Sequence, residues 1–206
     1  MNLAEQLRAN RLVAIVRGTD REAALQSVLA LVDAGIGMVE VSLTTPDADV
    51  VIAEARDALG PDALLGCGTV VTADDATRAA DCGAGYVVTP ALGEGIAAAC
   101  ARGLPVLGGA FTPSELVEAM HRGADAIKLF PALLGGPGYL HALLDPFPDL
   151  PIVPVGGVDA HQARAYLAAG AAAVGVGSPL VGDAASGGSL AGLRERAKTF
   201  LEAVRA

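Results

Sequence analysis

A chain of 206 residues with 52% hydrophobic content can bury one sizeable core, and aromatics at only 3% leave Ala, Val, Leu and Gly to build it. A net charge of −9 argues against nucleic acid or an anionic membrane as partner, since either needs a cationic surface, but a small anionic substrate can still bind in a locally positive pocket. The three cysteines, Cys67, Cys82 and Cys100, show neither CxxC nor metal-ligand spacing and read as reduced thiols of a cytoplasmic protein.

In chain order, MNLAEQLRANRL opens as an amphipathic helix over residues 2–10, without the continuous apolar run of a signal peptide. No stretch of roughly 18 residues is apolar without Gly, Pro or charge, so no transmembrane span is expected. Strand-length apolar runs then follow: RLVAIVRG (11–18), MVEVSL (38–43), ALLGCGTV (63–70), GYVVTP (85–90), PVLGGAFT (105–112), DAIKLFP (125–131), PIVPVGG (151–157) and AAVGVGSPLV (172–181). Between them lie segments such as DREAALQSVLALVDAG (20–35) and PSELVEAMHRG (113–123). These carry apolar residues at helical spacing, open with Asp, Ser or Pro and close at Gly.

Gly35, Gly83, Gly123 and Gly170 each end a helix and enter a strand, at intervals of 48, 40 and 47 residues. Each interval holds two βα units, which makes eight. Alternating βα units give a parallel sheet, and eight of them predict one (β/α)₈ barrel domain over 1–206 with a short N-terminal helix. An open doubly wound sheet is the alternative; no dinucleotide fingerprint follows the first strand to favour it.

In a barrel, strand residues alternate between interior and helix layer, and active sites form at the strands' C-terminal ends. In VEVSL, Val39, Val41 and Leu43 share one face, so Glu40 and Ser42 point inward. In AIKL, Ile127 and Leu129 share one face, so Lys128 points the other way. The remaining strand ends offer Arg17, Thr69, Thr89–Pro90, Thr112, Gly156–Gly157 and Gly177–Ser178. An acid, a lysine and an arginine thus converge near one mouth.

Lys128 is unusual in this chain. Of 14 basic residues only Lys128 and Lys198 are lysines. Arginine makes the better fixed partner for a carboxylate. A lysine can lose its proton, and the neutral amine attacks a carbonyl to form a Schiff base. Arg17 is then a neighbouring cation whose planar fork can grip a substrate carboxylate, and Glu40 is a proton shuttle. The alternative is a plain Glu40–Lys128 ion pair. The glycine-rich turns VGGV (155–158) and VGVGSP (174–179) fall where barrels commonly bind phosphate through backbone N–H groups. Other functions stay open: a sugar-phosphate isomerase or epimerase, or a non-catalytic barrel. His121, His141 and His161 fall at helix or loop positions, so no metal site is expected. Lys198 reads as a solvated helix residue.

These segments, together with GCGTV (66–70), VVTP (87–90), GGAFTPSEL (108–116) and AIKLFPA (126–132), resemble the 2-keto-3-deoxy-6-phosphogluconate aldolases in order and spacing, from about residue 12 to the C-terminus. The resemblance implies a metal-independent class I aldolase on a (β/α)₈ barrel, without a cofactor, usually a homotrimer, acting on a small anionic keto acid or sugar phosphate. It implies that Lys128 carries the Schiff base to pyruvate and that Glu40 is the general acid/base. Thr69 would contact the pyruvyl group, Pro90 and Phe130 would line the pocket, and Gly157, Gly177 and Ser178, in turns that include Gly156, would hold the phosphate. Arg17 would contact substrate. One position departs: many members carry an arginine four residues after the glutamate, and here it is Thr44. That leaves the substrate open among the gluconate, its galactonate epimer and 4-hydroxy-2-oxoglutarate.

Overall fold

A computed structural model describes residues 2–205. Its strands are β1 (Leu12–Val16), β2 (Met38–Ser42), β3 (Leu64–Gly68), β4 (Tyr86–Val88), β5 (Val106–Ala110), β6 (Ala126–Leu129), β7 (Ile152–Pro154) and β8 (Val174–Val176). All are parallel and pair in chain order, and β1 also pairs with β8. The parallel bridge Val155–Gly175 joins the two remaining edges, so the sheet closes into a barrel.

Helix α1 (Leu3–Asn10) precedes the barrel. The outer helices are α2 (Arg21–Asp33), α3 (Ala48–Leu59), α4 (Ala73–Asp81), α5 (Glu94–Ala101), α6 (Pro113–His121), α7 (Gly136–Leu144), α8 (Ala160–Ala168), α9 (Ser178–Val181) and α10 (Leu190–Arg205). None among the described residues is long and apolar enough to cross a membrane.

Local chemistry sets the helix ends. Reciprocal capping boxes open α1 (Asn2/Glu5), α4 (Thr72/Asp75), α6 (Thr112/Glu115) and α8 (Asp159/Gln162), each satisfying two otherwise unpaired N–H groups. The four repeat glycines, Gly35, Gly83, Gly123 and Gly170, have φ of 97°, 77°, 99° and 102°. That left-handed turn after a helix strongly favours glycine, which explains the repeat.

Two expectations are corrected. Strand 8 does not reach Gly177–Ser178: β8 stops at Val176, Gly177 and Ser178 open α9, and Pro179, which lacks a ladder donor, sits in its first turn. Thr112 is not part of the strand-end cluster. β5 ends at Ala110, and Thr112 is exposed as the N-cap of α6.

Alternation along the strands builds two apolar layers. Val39, Val41, Ile127 and Leu129 pack outward against the helices. Val13, Ile15, Met38, Tyr86, Val88, Leu107, Ala126, Val153, Val155 and Ala173 fill the interior, and Leu3 and Leu7 of α1 join them. The barrel is thus a packed core with α1 built into it, and the strands' C-terminal ends carry the opening.

Candidate active site

A cavity of about 310 Å³ opens at that end. Its lining includes Arg17, Thr69, Pro90, Lys128, Phe130, Gly156, Gly157, Gly177 and Ser178, every pocket residue expected from sequence except Glu40. It also includes Ile15, Val155, Gly175, Pro179, Val181 and Gly182, which the sequence did not single out. Their hydrophobic or glycine character gave no signal apart from core or turn.

Lys128 stands on β6 with its side chain 6% exposed, facing the cavity. Its Nζ lies 5.5 Å from the centroid of the Phe130 ring, whose face attracts a cation. Strand parity therefore assigned it to the interior correctly. Glu40, 1% exposed, also faces inward. Space for its carboxyl comes from β3: a Cβ at Gly68 would collide with the Glu40 carboxylate. Burial pushes the Glu40 carboxyl above the ordinary carboxylate range, opposed by the nearby charges of Lys128 and Arg17. Desolvation wins over the two cations.

Arg17 is exposed at the end of β1 and its Nε donates to Ser42 Oγ at 3.4 Å. Ser42 Oγ in turn shares a hydrogen bond with Thr44 Oγ1 at 2.9 Å. Thr44 is thus tied through Ser42 to Arg17. Thr89 is buried and structural: its Oγ1 accepts from the Gly109 N–H at 2.9 Å and donates to the Ala91 carbonyl at 3.2 Å, locking the turn that presents Pro90. Gly156 and Gly157 have φ of 98° and 76° and pack against Phe130 and Leu133, so neither position admits a side chain without strain.

The arrangement holds an amine beside a buried carboxyl at the floor of a cavity, with a guanidinium and glycine turns at its rim. Such a set can bind a multiply charged anion, attack a carbonyl and move a proton. A family model described as KDPG and KHG aldolase matches residues 3–188. The chain belongs to this aldolase family. Within the family it is 36% identical over 196 residues to the 2-dehydro-3-deoxy-6-phosphogalactonate aldolase of Escherichia coli K12, covering 94% of both chains. It is 34% identical over 170 residues to the 2-dehydro-3-deoxy-phosphogluconate aldolase of Treponema pallidum, covering 82% of this chain and 80% of the other. Its structure matches that of the KDPG aldolase of Legionella pneumophila with pyruvate captured at low pH as a covalent carbinolamine. The TM-score is 0.87 at 28% identity, over 96% and 97% of the two chains.

The three histidines are exposed, His121 on α6, His141 on α7 and His161 on α8, and Lys198 is exposed on α10. None belongs to the cavity.

Proposed function

We propose that the chain cleaves a phosphorylated 2-keto-3-deoxy sugar acid to pyruvate and glyceraldehyde 3-phosphate through a Schiff base on Lys128. The observation that carries this reading is the buried amine of Lys128 facing the cavity beside a buried carboxyl, in a chain where twelve of the 14 basic residues are arginine.

The unprotonated Lys128 amine adds to the C2 carbonyl, and the carbinolamine loses water to give an iminium. Glu40, as carboxylate, takes the proton of the C4 hydroxyl. The C3–C4 bond then breaks, its electron pair passes to the iminium nitrogen as an enamine, and the aldehyde leaves. Glu40 returns a proton to C3, and water releases pyruvate and the free amine. A carboxyl raised by burial is closer to the working pH than an ordinary one, which suits it to both halves of this transfer.

Arg17, fixed through Ser42 and Thr44, is the cation offered to the substrate carboxylate, and Thr69 lies beside the pyruvyl group. Pro90 and Phe130 flank the bound chain. The backbone N–H groups around Gly156, Gly157, Gly177 and Ser178 take the phosphate. The sugar acid is read as the gluconate. The Escherichia coli relative matched over 94% of both chains is named for the galactonate, which favours the C4 epimer as the second candidate. The resemblance supports a cytoplasmic homotrimer, and Leu133 and Leu134, 60% and 68% exposed beside the mouth, supply apolar surface for a subunit contact.

The test is borohydride reduction in the presence of pyruvate, followed by peptide mapping. A pyruvate adduct on the peptide carrying Lys128 is expected; no adduct there ends the Schiff-base reading. Assays with both epimers and with 4-hydroxy-2-oxoglutarate rank the substrates.

A further inference from the structure

The barrel interior holds a polar group for which the chemistry above has no use. Among the described residues, the Tyr86 hydroxyl is a fully buried side-chain oxygen with no hydrogen-bond partner. Buried hydroxyls are normally paired, because desolvating one without a partner is costly.

Its neighbours show where the hydroxyl is directed. Ile15, Glu40, Gly66 and Tyr86 are register partners across β1, β2, β3 and β4. Gly66, between Glu40 and Tyr86, has no side chain, and a Cβ there would collide with the Tyr86 ring around Cζ. The ring therefore crosses β3, a strand spacing of about 4.8 Å, and carries its hydroxyl toward β2. The next inward side chain in that direction is Glu40, which itself lies against Gly68 on the same glycine face. Both groups are enclosed, Tyr86 at 2% and Glu40 at 1% exposure. Burial, with the Glu40 charge adding to it, holds the Tyr86 phenol well above its ordinary pKa, so it stays an O–H donor.

We propose that Tyr86 is a positioning residue for Glu40: its hydroxyl donates to the Glu40 carboxylate through one enclosed water. One carboxyl oxygen is thereby held and the other is left for the substrate proton. The inference rests on Glu40 being the proton shuttle. A hydrogen bond to the charged form favours that form and offsets part of the burial effect. The groups that face Glu40 are Lys128 from β6, Arg17 from the end of β1 and Tyr86 from β4, with Cys67 sensing its charge from the outer face of β3. Tyr86 is the one whose donor can be removed without changing any charge.

Tyr86→Phe deletes that donor and keeps the ring. The acid limb of the kcat/KM pH profile is expected to move to higher pH by about one to two units, the worth of a hydrogen bond to a charged group. The carbon-13 titration of the Glu40 side-chain carboxyl, assigned with Glu40→Gln, moves with it. An acid limb and a titration that both stay at wild type, with Tm raised by loss of an unpaired hydroxyl, overturn the proposal. Comparing Tm for Tyr86→Phe in the wild-type and Glu40→Leu backgrounds gives a second readout: the cost of losing the hydroxyl must disappear when position 40 offers no acceptor. Pyruvate trapping on Lys128 is read separately in the wild type. Its failure removes the aldolase reading, while the carboxyl titration still decides the Tyr86–Glu40 bond.

Discussion

Lys128 and Glu40 make opposite demands on the fold. Lys128→Arg keeps the positive charge next to Glu40 and Phe130 but removes an amine that can lose its proton. Release of pyruvate, followed by coupled reduction, should fall by on the order of 10⁴-fold or more, as for other lost nucleophiles. Tm should stay within a few degrees of wild type. Glu40 is held above its ordinary pKa by burial. The folded state then keeps its proton at a pH where the unfolded chain has released it, so stability falls as pH rises from the ordinary carboxylate range through the raised value. Gln mimics the protonated form. Glu40→Gln should therefore melt above wild type at neutral pH, with the gap closing as pH drops below about 4. It should also lose turnover by about 10²–10⁴-fold. Melting curves across pH check the first part; a gap that widens on acidification contradicts it.

Among the elements, β3 does the most for the site while contributing almost no side chain to the interior. Gly66 and Gly68 face inward, one beneath the Tyr86 ring and the other beneath the Glu40 carboxyl. The strand is in effect the space that its neighbours occupy. Gly66→Ala should destabilise the fold by about 1–3 kcal/mol through overpacking against a rigid ring, measured by urea unfolding. Gly68→Ala should instead act on the reaction, because it displaces the carboxyl: kcat/KM drops more than stability does. The reverse ranking of the two variants would show that β3 does not set the site in this way. This role could not be read from sequence. GCGTV shows glycines, but only the register with β2 and β4 shows what lies over them. The alternation in β2 and β6 was readable because Val39, Val41, Ile127 and Leu129 are unambiguous outward residues. Tyr86 was missed because a lone tyrosine in an apolar strand looks like core, and it is core apart from one atom. The lengths of β4, β7 and β8, three residues each, were also hidden, since apolar runs continue past the last ladder bond into the turns.

At the scale of the whole molecule, the barrel separates stability from chemistry along its axis. The C-terminal strand ends carry Lys128, Arg17 and the glycine turns. Leu3 and Leu7 of α1 are buried instead in the interior cluster with Val13, Met38 and Ala126. Removing apolar volume there leaves a cavity that a closed sheet cannot collapse to fill. Leu7 is fully buried, so Leu7→Ala should cost about 2–5 kcal/mol. At roughly 2–4 °C per kcal/mol for a domain of this size, Tm falls by about 4–20 °C. The cavity lining at the mouth does not include Leu7, so pyruvate trapping on Lys128 and kcat/KM at 25 °C should stay within about twofold of wild type. Lys128→Arg has the opposite signature, lost turnover with Tm kept. If Leu7→Ala also loses turnover while still folded at the assay temperature, the plugged end and the catalytic end are coupled through the interior. The layer through which they would couple is the one that holds Tyr86 and Glu40.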